Sequence, residues 1–198
     1  MWDVYREQYN SFLALDSNDI NAFAAPGGLI LVTRGLLKCC QNEDELAAVL
    51  AHEIGHVEKV HGLRAIKTGR LNSALTILAV EAGKNLAGEQ LAEVTKAFDE
   101  SINDISGTLM NSGYSRKLEY EADAAAVAIL KQAGYNSGAL VAMLENMAKN
   151  WDASRKDFAA THPAPADRIK ELQKLGVASS QKSAAARQQR FLAATKSL

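Results

Sequence analysis

AHEIGHVEKVH, residues 51–61, carries three of the chain's four histidines and two of its glutamates. On a helix each residue turns about 100° and rises about 1.5 Å, so His52 and His56 stand about 40° apart and one turn above each other, a spacing that lets both bind one ion. Glu53 lies about 100° from His52 on the side toward His56, placed to act as general base on a water at that ion without being a natural ligand. If the same helix continues, His61 falls about 140° from His56 and shares a face with Leu50, Ile54 and Val57, which makes it a hydrogen-bonded packing histidine rather than a ligand. The metzincin pattern HExxHxxGxxH is not met, because its Gly and third His positions hold Lys59 and Gly62. Ala48, Ala51 and Gly55 flank the metal face, and their small size is expected to leave the ligands open to an approaching molecule.

A catalytic zinc takes three protein ligands and keeps a position for water, so a third donor must come from elsewhere. The best source is SRKLEYEADAAAVAIL, residues 115–130. As a helix it sets Glu119 and Asp123 on one face with Ala122, Ala126 and Leu130, while Glu121 lies about 200° from Glu119 with Lys117, Ala128 and Gln132. A carboxylate on an Ala-rich inward face has to be paired or metal-bound. Glu119 is therefore the expected third ligand, and Asp123 is placed to accept the second ring N–H of a ligating histidine. The alternative is two solvated acids in i,i+4 charge pairs. The expected cofactor is Zn2+, one ion per chain.

The flanking sequence supplies helices to carry these groups. Asn42 fits the N-cap of the motif helix, with Glu43, Asp44 and Glu45 complementing its positive end. Further helices are expected near 63–82, 85–100, 116–133, 137–150 and 165–175. NAFAAPGGLILVTRGLL, residues 21–37, holds two β-like runs about a Pro26-Gly27-Gly28 turn, the one convincing hairpin. Residues 176–198 read as a linker, GVASSQKS, and a short C-terminal helix. Gly83–Gly113 ends in GTLMNSGYS, whose small residues suit a lid or partner surface. At 198 residues with 47% hydrophobic content, 1–198 forms a single domain with one core.

Composition narrows the partners. The net charge of −1, from 22 basic and 23 acidic residues, provides no broad field for nucleic acid. LNSALTILAVEAG, starting at Leu71, is broken by Asn72, Ser73 and Glu81 and falls short of the roughly 20 residues needed to span a bilayer, so no transmembrane segment is expected. MWDVYREQYN lacks the apolar core of a signal peptide, which leaves a cytoplasmic protein or a chain trimmed of its leader. Cys39 and Cys40 are adjacent, so they form no ordinary disulfide framework and lack the C-x-x-C spacing of zinc sites.

HEIGH at 52–56, SRKLEYEAD at 115–123 and THPAPADRI at 161–169, in that order, resemble the zinc peptidase family that includes the CAAX prenyl endopeptidases and the bacterial heat-shock membrane protease HtpX. The resemblance runs from about Asn21 to Ile169, and NAFAAPGG is similar to the soluble and periplasmic members, including those tied to outer-membrane assembly. It implies a mainly α (α+β), zincin-like helical domain with a small antiparallel β-hairpin beside the HExxH helix. It also implies a gluzincin site: zinc on His52, His56 and Glu119, Glu53 as base, and Asp123 behind the ligands. Thr161, His162, Pro163, Arg168 and Ile169 meet the family's THPxxxxRI pattern. His162 and Arg168 are thereby brought to the catalytic side, where they suit a developing oxyanion; the alternative is that Arg168 clamps Glu119, Asp123 or backbone carbonyls.

The transmembrane helices of HtpX and the prenyl endopeptidases are missing here, so prenylated substrates and intramembrane cleavage do not carry over. What remains is a periplasmic or envelope-associated endopeptidase with a signal upstream of Met1, acting on unfolded or extended polypeptides held along strand Leu29–Thr33 or Ala22–Ala25. A competing function is a chaperone-like binding module with a structural zinc. The oligomeric state is not legible.

Overall fold

In the computed structural model the described residues are 11–25, 28–69, 71, 113–149, 162, 164–196 and 198. The expected helix near 85–100, most of that near 63–82, Pro26 and Gly27 of the turn, and nearly all of the 83–113 region lie outside them. Thr161 and Pro163 of the third motif do too.

Three strands precede the helices: β1 (Ser11–Leu15), β2 (Ala22–Ala25) and β3 (Leu29–Thr33). The hairpin expectation holds for β2 and β3, which pair antiparallel with Ala22 opposite Val32. Gly28, at φ 89°, occupies the left-handed region on the way into β3. β1 was not expected; it lies parallel to β3, with Ser11 opposite Leu29, so the sheet is mixed and ordered β1-β3-β2. Its first four residues are exposed, so no alternation of apolar residues announces it. The order corrects one expectation: β3 is central, so it is not the edge that could hold a substrate. Among the described residues the edges are β1 and β2. Because Thr33 N–H donates to the Asn21 carbonyl and Gly28 N–H to that of Ala25, Ala22 and Ala24 turn their N–H and C=O groups away from β3.

Thr33 ends the sheet and starts α1 (Arg34–Cys39), its hydroxyl accepting from the Leu36 N–H. α2 (Glu43–Glu58) carries the HExxH motif. Its N-cap is Asn42, as expected, accepting from Glu45 N–H at 2.9 Å, while the Glu45 carboxylate reaches back to the Gln41 N–H at 2.9 Å. This reciprocal cap anchors the motif helix to the core, since Asn146 also donates to Glu45. α2 stops at Glu58; Val60 is left-handed at φ 52°, and residues 61–69 begin a separate helical stretch.

α3 (Arg116–Gln132) buries Glu119, Ala122, Asp123, Ala126, Val127 and Leu130, the face that periodicity assigned. It crosses α2 at close range. A Cβ on Gly55 would come within 2.9 Å of the Ala122 carbonyl oxygen and 3.2 Å of the Ala125 Cβ. The small residues of α2 thus admit a neighbouring helix, with Ala48 and Ala51 buried in the core, rather than an incoming molecule. α4 (Ala139–Lys149) lies against α2, and α5 (Pro165–Lys174) against α3 and α4; Leu140, Met143, Leu144 and Leu172 fill the space between them.

Residues 177–184 run without regular structure, and Asn136 donates to Ser180 and to the Lys182 carbonyl. Gly138 has no room for a side chain beneath this segment, since a Cβ there would lie 2.5 Å from the Ala178 carbonyl oxygen. α6 (Ala185–Thr195) then docks on the start of α2: Phe191 is buried, Arg187 pairs with Asp44 at 3.0 Å, and Arg190 pairs with Glu43 at 2.6 Å. No described helix is long and apolar enough to cross a membrane.

Candidate metal centre

Gly55 lets α3 approach closely enough that Glu119 projects between the two histidines of α2. His52 Nε2 and His56 Nε2 are 3.1 Å apart, and each lies 3.4 Å from a Glu119 carboxylate oxygen. Two ligand atoms on one tetrahedral zinc, at bond lengths of about 2.0–2.2 Å, are about 3.3–3.5 Å apart, so the observed triangle matches the separations an ion requires. The protonation pattern points the same way. His52 Nδ1 is 2.9 Å from Asp123 Oδ1, which takes its N–H, and His56 Nδ1 is 3.0 Å from His61 Nδ1. Both Nε2 lone pairs then face inward toward Glu119, whose Oε1 is buried without a hydrogen bond. Converging acceptors of this kind need a cation.

In the protein alone, a proton serves that purpose. Burial and Arg168 oppose charge on His52, yet hydrogen bonds to Asp123 and Glu119 outweigh them and push its pKa up to about 9. Burial drives His56 down to about 3. Burial also works against charge on Glu119, but His162, His52 and His56 hold its carboxyl well below the usual range.

His162 belongs to the cluster: it, His52, His56 and Glu119 each offer an atom within 4.8 Å of the others. Its Nδ1 donates to Glu119 Oε2 at 2.7 Å. That is a hydrogen-bond length, shorter than the roughly 3.3 Å between two ligands of one tetrahedral ion. Glu53 follows His52 on α2, fully buried, and its Oε1 lies 3.9 Å from His162 Nε2. Burial raises its pKa, with His162 and His52 pulling the other way. Arg168 approaches from behind: Nε and Nη2 grip Asp123 at 2.9 and 2.6 Å, and Nη2 is 3.1 Å from His52 Nδ1. Arg168 lowers the Asp123 pKa against the opposing effect of burial. Arg168 thus clamps Asp123, and its Nη1 lies 3.9 Å from Glu119 Oε2.

The sequence profile of peptidase family M48 matches residues 3–176. The chain belongs to peptidase family M48. It is similar to the mitochondrial metalloendopeptidase OMA1 of Schizosaccharomyces pombe, at 34% identity over 77% of this chain and 42% of the relative. It is also 28% identical to the beta-barrel assembly-enhancing protease of Escherichia coli O157:H7, over 80% of this chain and 32% of that protein. The metalloprotease LoiP of Escherichia coli K12 matches at 28% over 79% of this chain and 58% of its own length. The chain thus spans between about a third and three fifths of these relatives. M48 members are zinc metallopeptidases, and the buried His52, His56, Glu119 and His162 set is able to bind a metal.

Two residues around this M48 centre escaped sequence reasoning. Tyr114, just ahead of α3, stacks on His56 with ring centroids 4.3 Å apart and planes 20° from parallel. Burial and the carboxylates of Glu53 and Glu119 push its phenol up to about 12, so it stays neutral. Nothing in periodicity marks a tyrosine outside a helix. His61 is the other: its burial was expected, but its partner was not, because the turn at Val60 breaks the helix on which its direction had been reckoned.

Proposed function

We propose that this chain is the catalytic domain of a zinc endopeptidase that cuts unfolded or extended polypeptides, in cell-envelope protein quality control. The observation that carries the reading is the triangle of His52 Nε2, His56 Nε2 and Glu119 oxygens beside a buried, hydrogen-bond-deficient Glu53 carboxylate oxygen. His52, His56 and Glu119 would hold the ion, and zinc would supply Lewis acidity there, polarising a scissile carbonyl and activating water. Glu53, with its pKa raised by burial, accepts the proton of the attacking water and passes it to the leaving amine. His162 orients Glu119 and presents its other edge toward Glu53, next to where negative charge develops. Asp123 and Arg168 fix the ring of His52.

Extended substrates suit β2 at Ala24, a half-buried residue whose backbone groups point away from β3 and so can pair with an added strand; Ala22, fully buried, cannot. Main-chain pairing reads backbone rather than side chains, which fits loosely structured targets of varied sequence. The envelope setting draws support from the relative named for β-barrel assembly.

The chaperone-like alternative draws on His162, which would close the site if it were a fourth ligand. Its 2.7 Å contact with Glu119 favours the open, catalytic arrangement. Glu53→Gln decides between them: zinc content should stay at one per chain while casein cleavage falls by about 100-fold or more. Undiminished cleavage rejects the proposed base, and wild-type protein that binds unfolded casein without cutting it supports the chaperone.

A further inference from the structure

His52 and His56 do the same work in the proposed centre, yet only His52 is backed by a carboxylate. We propose that His61, with Glu121 and Arg64 behind it, is the positioning relay that fixes the ring and tautomer of His56; this rests on the zinc reading above.

The backbone brings His61 to this place. α2 ends at Glu58, and Val60 takes a left-handed conformation at φ 52°, which is costly for a β-branched residue. The reversal lets the next helical stretch begin with His61 fully buried under His56 instead of one turn further along α2. The two Nδ1 atoms meet at 3.0 Å.

The direction of each hydrogen bond follows from chemistry. For His56 to offer its Nε2 lone pair toward the ion, its Nδ1 must carry the proton and donate it to His61 Nδ1. His61 then carries its own proton on Nε2, which faces Glu121 Oε2 at 3.4 Å. Glu121 Oε2 also accepts from Arg64 Nη1 at 2.7 Å. Accepting at Nδ1 requires a neutral His61 ring, which its full burial suits. Tyr114 completes the support by stacking on the His56 ring, leaving little freedom to rotate out of plane. His61 is not itself a ligand: its Nδ1 is occupied by His56, and the metal-capable cluster among the described residues does not include it.

The test compares His61→Phe, which keeps a ring but removes the acceptor, with His61→Asn, whose side-chain oxygen falls near the place of Nδ1. Zinc affinity is measured by competition with a chromophoric chelator, and thermal melting is followed on zinc-stripped protein. The expected result is a loss of zinc affinity of about 10–100-fold in His61→Phe, most of it recovered in His61→Asn, with little change in the melting of the stripped proteins. Zinc affinity within about twofold of wild type in His61→Phe overturns the relay. A loss matched in His61→Asn and accompanied by an equal fall in stripped stability overturns it as well, because that is the signature of packing alone. If His61→Phe does not fold, His61→Asn is set against His61→Gln, whose amide reaches toward the Nε2 position; the relay requires Asn to hold zinc better than Gln, and equal affinities overturn it. Glu119→Ala run in parallel separates the two readings: if it abolishes zinc binding while His61→Phe leaves it intact, the centre stands and only the relay falls.

Discussion

The two histidines of the HExxH motif are equivalent in sequence and unequal in surroundings. Behind His52 stand Asp123 and Arg168, both buried, with the guanidinium gripping the carboxylate through two nitrogens. Behind His56 stands a neutral imidazole, and the chain of contacts then runs to Glu121 and Arg64, whose side chains are 32% and 45% exposed. In the first support full charges are desolvated, so they are strong when paired and costly when separated. In the second the charges meet water, where they are screened. One histidine is therefore held by energy stored in the core and the other by geometry near the surface.

The comparison breaks most readily at the buried end. Arg168→Ala strands the Asp123 carboxylate in the core and should cost about 3–5 kcal/mol of unfolding free energy, read by urea denaturation. A loss no larger than that from Glu121→Gln would show the two supports to be alike. Gly55→Ala strikes both supports together, because a methyl 2.9 Å from the Ala122 carbonyl must push α3, with Glu119 and Asp123, away from α2. We expect a destabilisation of about 1–3 kcal/mol, with weaker zinc binding, measured by melting and chelator competition; a fully stable, zinc-replete variant would mean the close helix contact is dispensable.

Titration sharpens the contrast. In zinc-free protein His52 is raised to about 9 and His56 lowered to about 3, so zinc must displace a proton from the first and none from the second. Loading between pH 7 and 8 should release about one proton, measured calorimetrically in buffers of different ionisation enthalpy. The raised His52 pKa stabilises the zinc-free fold below about 6.5 and loses that contribution as pH climbs through about 9, so zinc affinity should rise across the same window. Asp123→Asn, which weakens the hydrogen bond favouring the charged ring, should reduce the proton release, whereas His61→Asn should leave it unchanged. The smallest effect belongs to Glu121→Gln: a marginal change in melting temperature that fades in high salt. A salt-independent loss there would place Glu121 among the buried charges.

How much of this was legible depends on whether a contact is local. The HExxH spacing, the Asn42 cap and the shared face of Glu119 and Asp123 follow from helical geometry within a few residues. β1 was not visible, because its pairing with β3 is non-local and its exposed residues carry no alternation. The small residues of α2 were visible but misread: sequence gives their size, while only the crossing helix reveals what fills the space. His61 was misdirected by one residue, Val60, whose left-handed backbone no propensity would assign to a β-branched side chain.

Taken by itself, the sequence determined the candidate donors on each helix, because the chemistry of imidazole and carboxylate and the period of a helix are properties of residue type and spacing. The tertiary structure alone decided how each donor is backed. Glu119 meets His52 and His56 only because Gly55 lets two helices touch, and Arg168 and His61 reach opposite histidines only after a distant segment and a sharp turn bring them there.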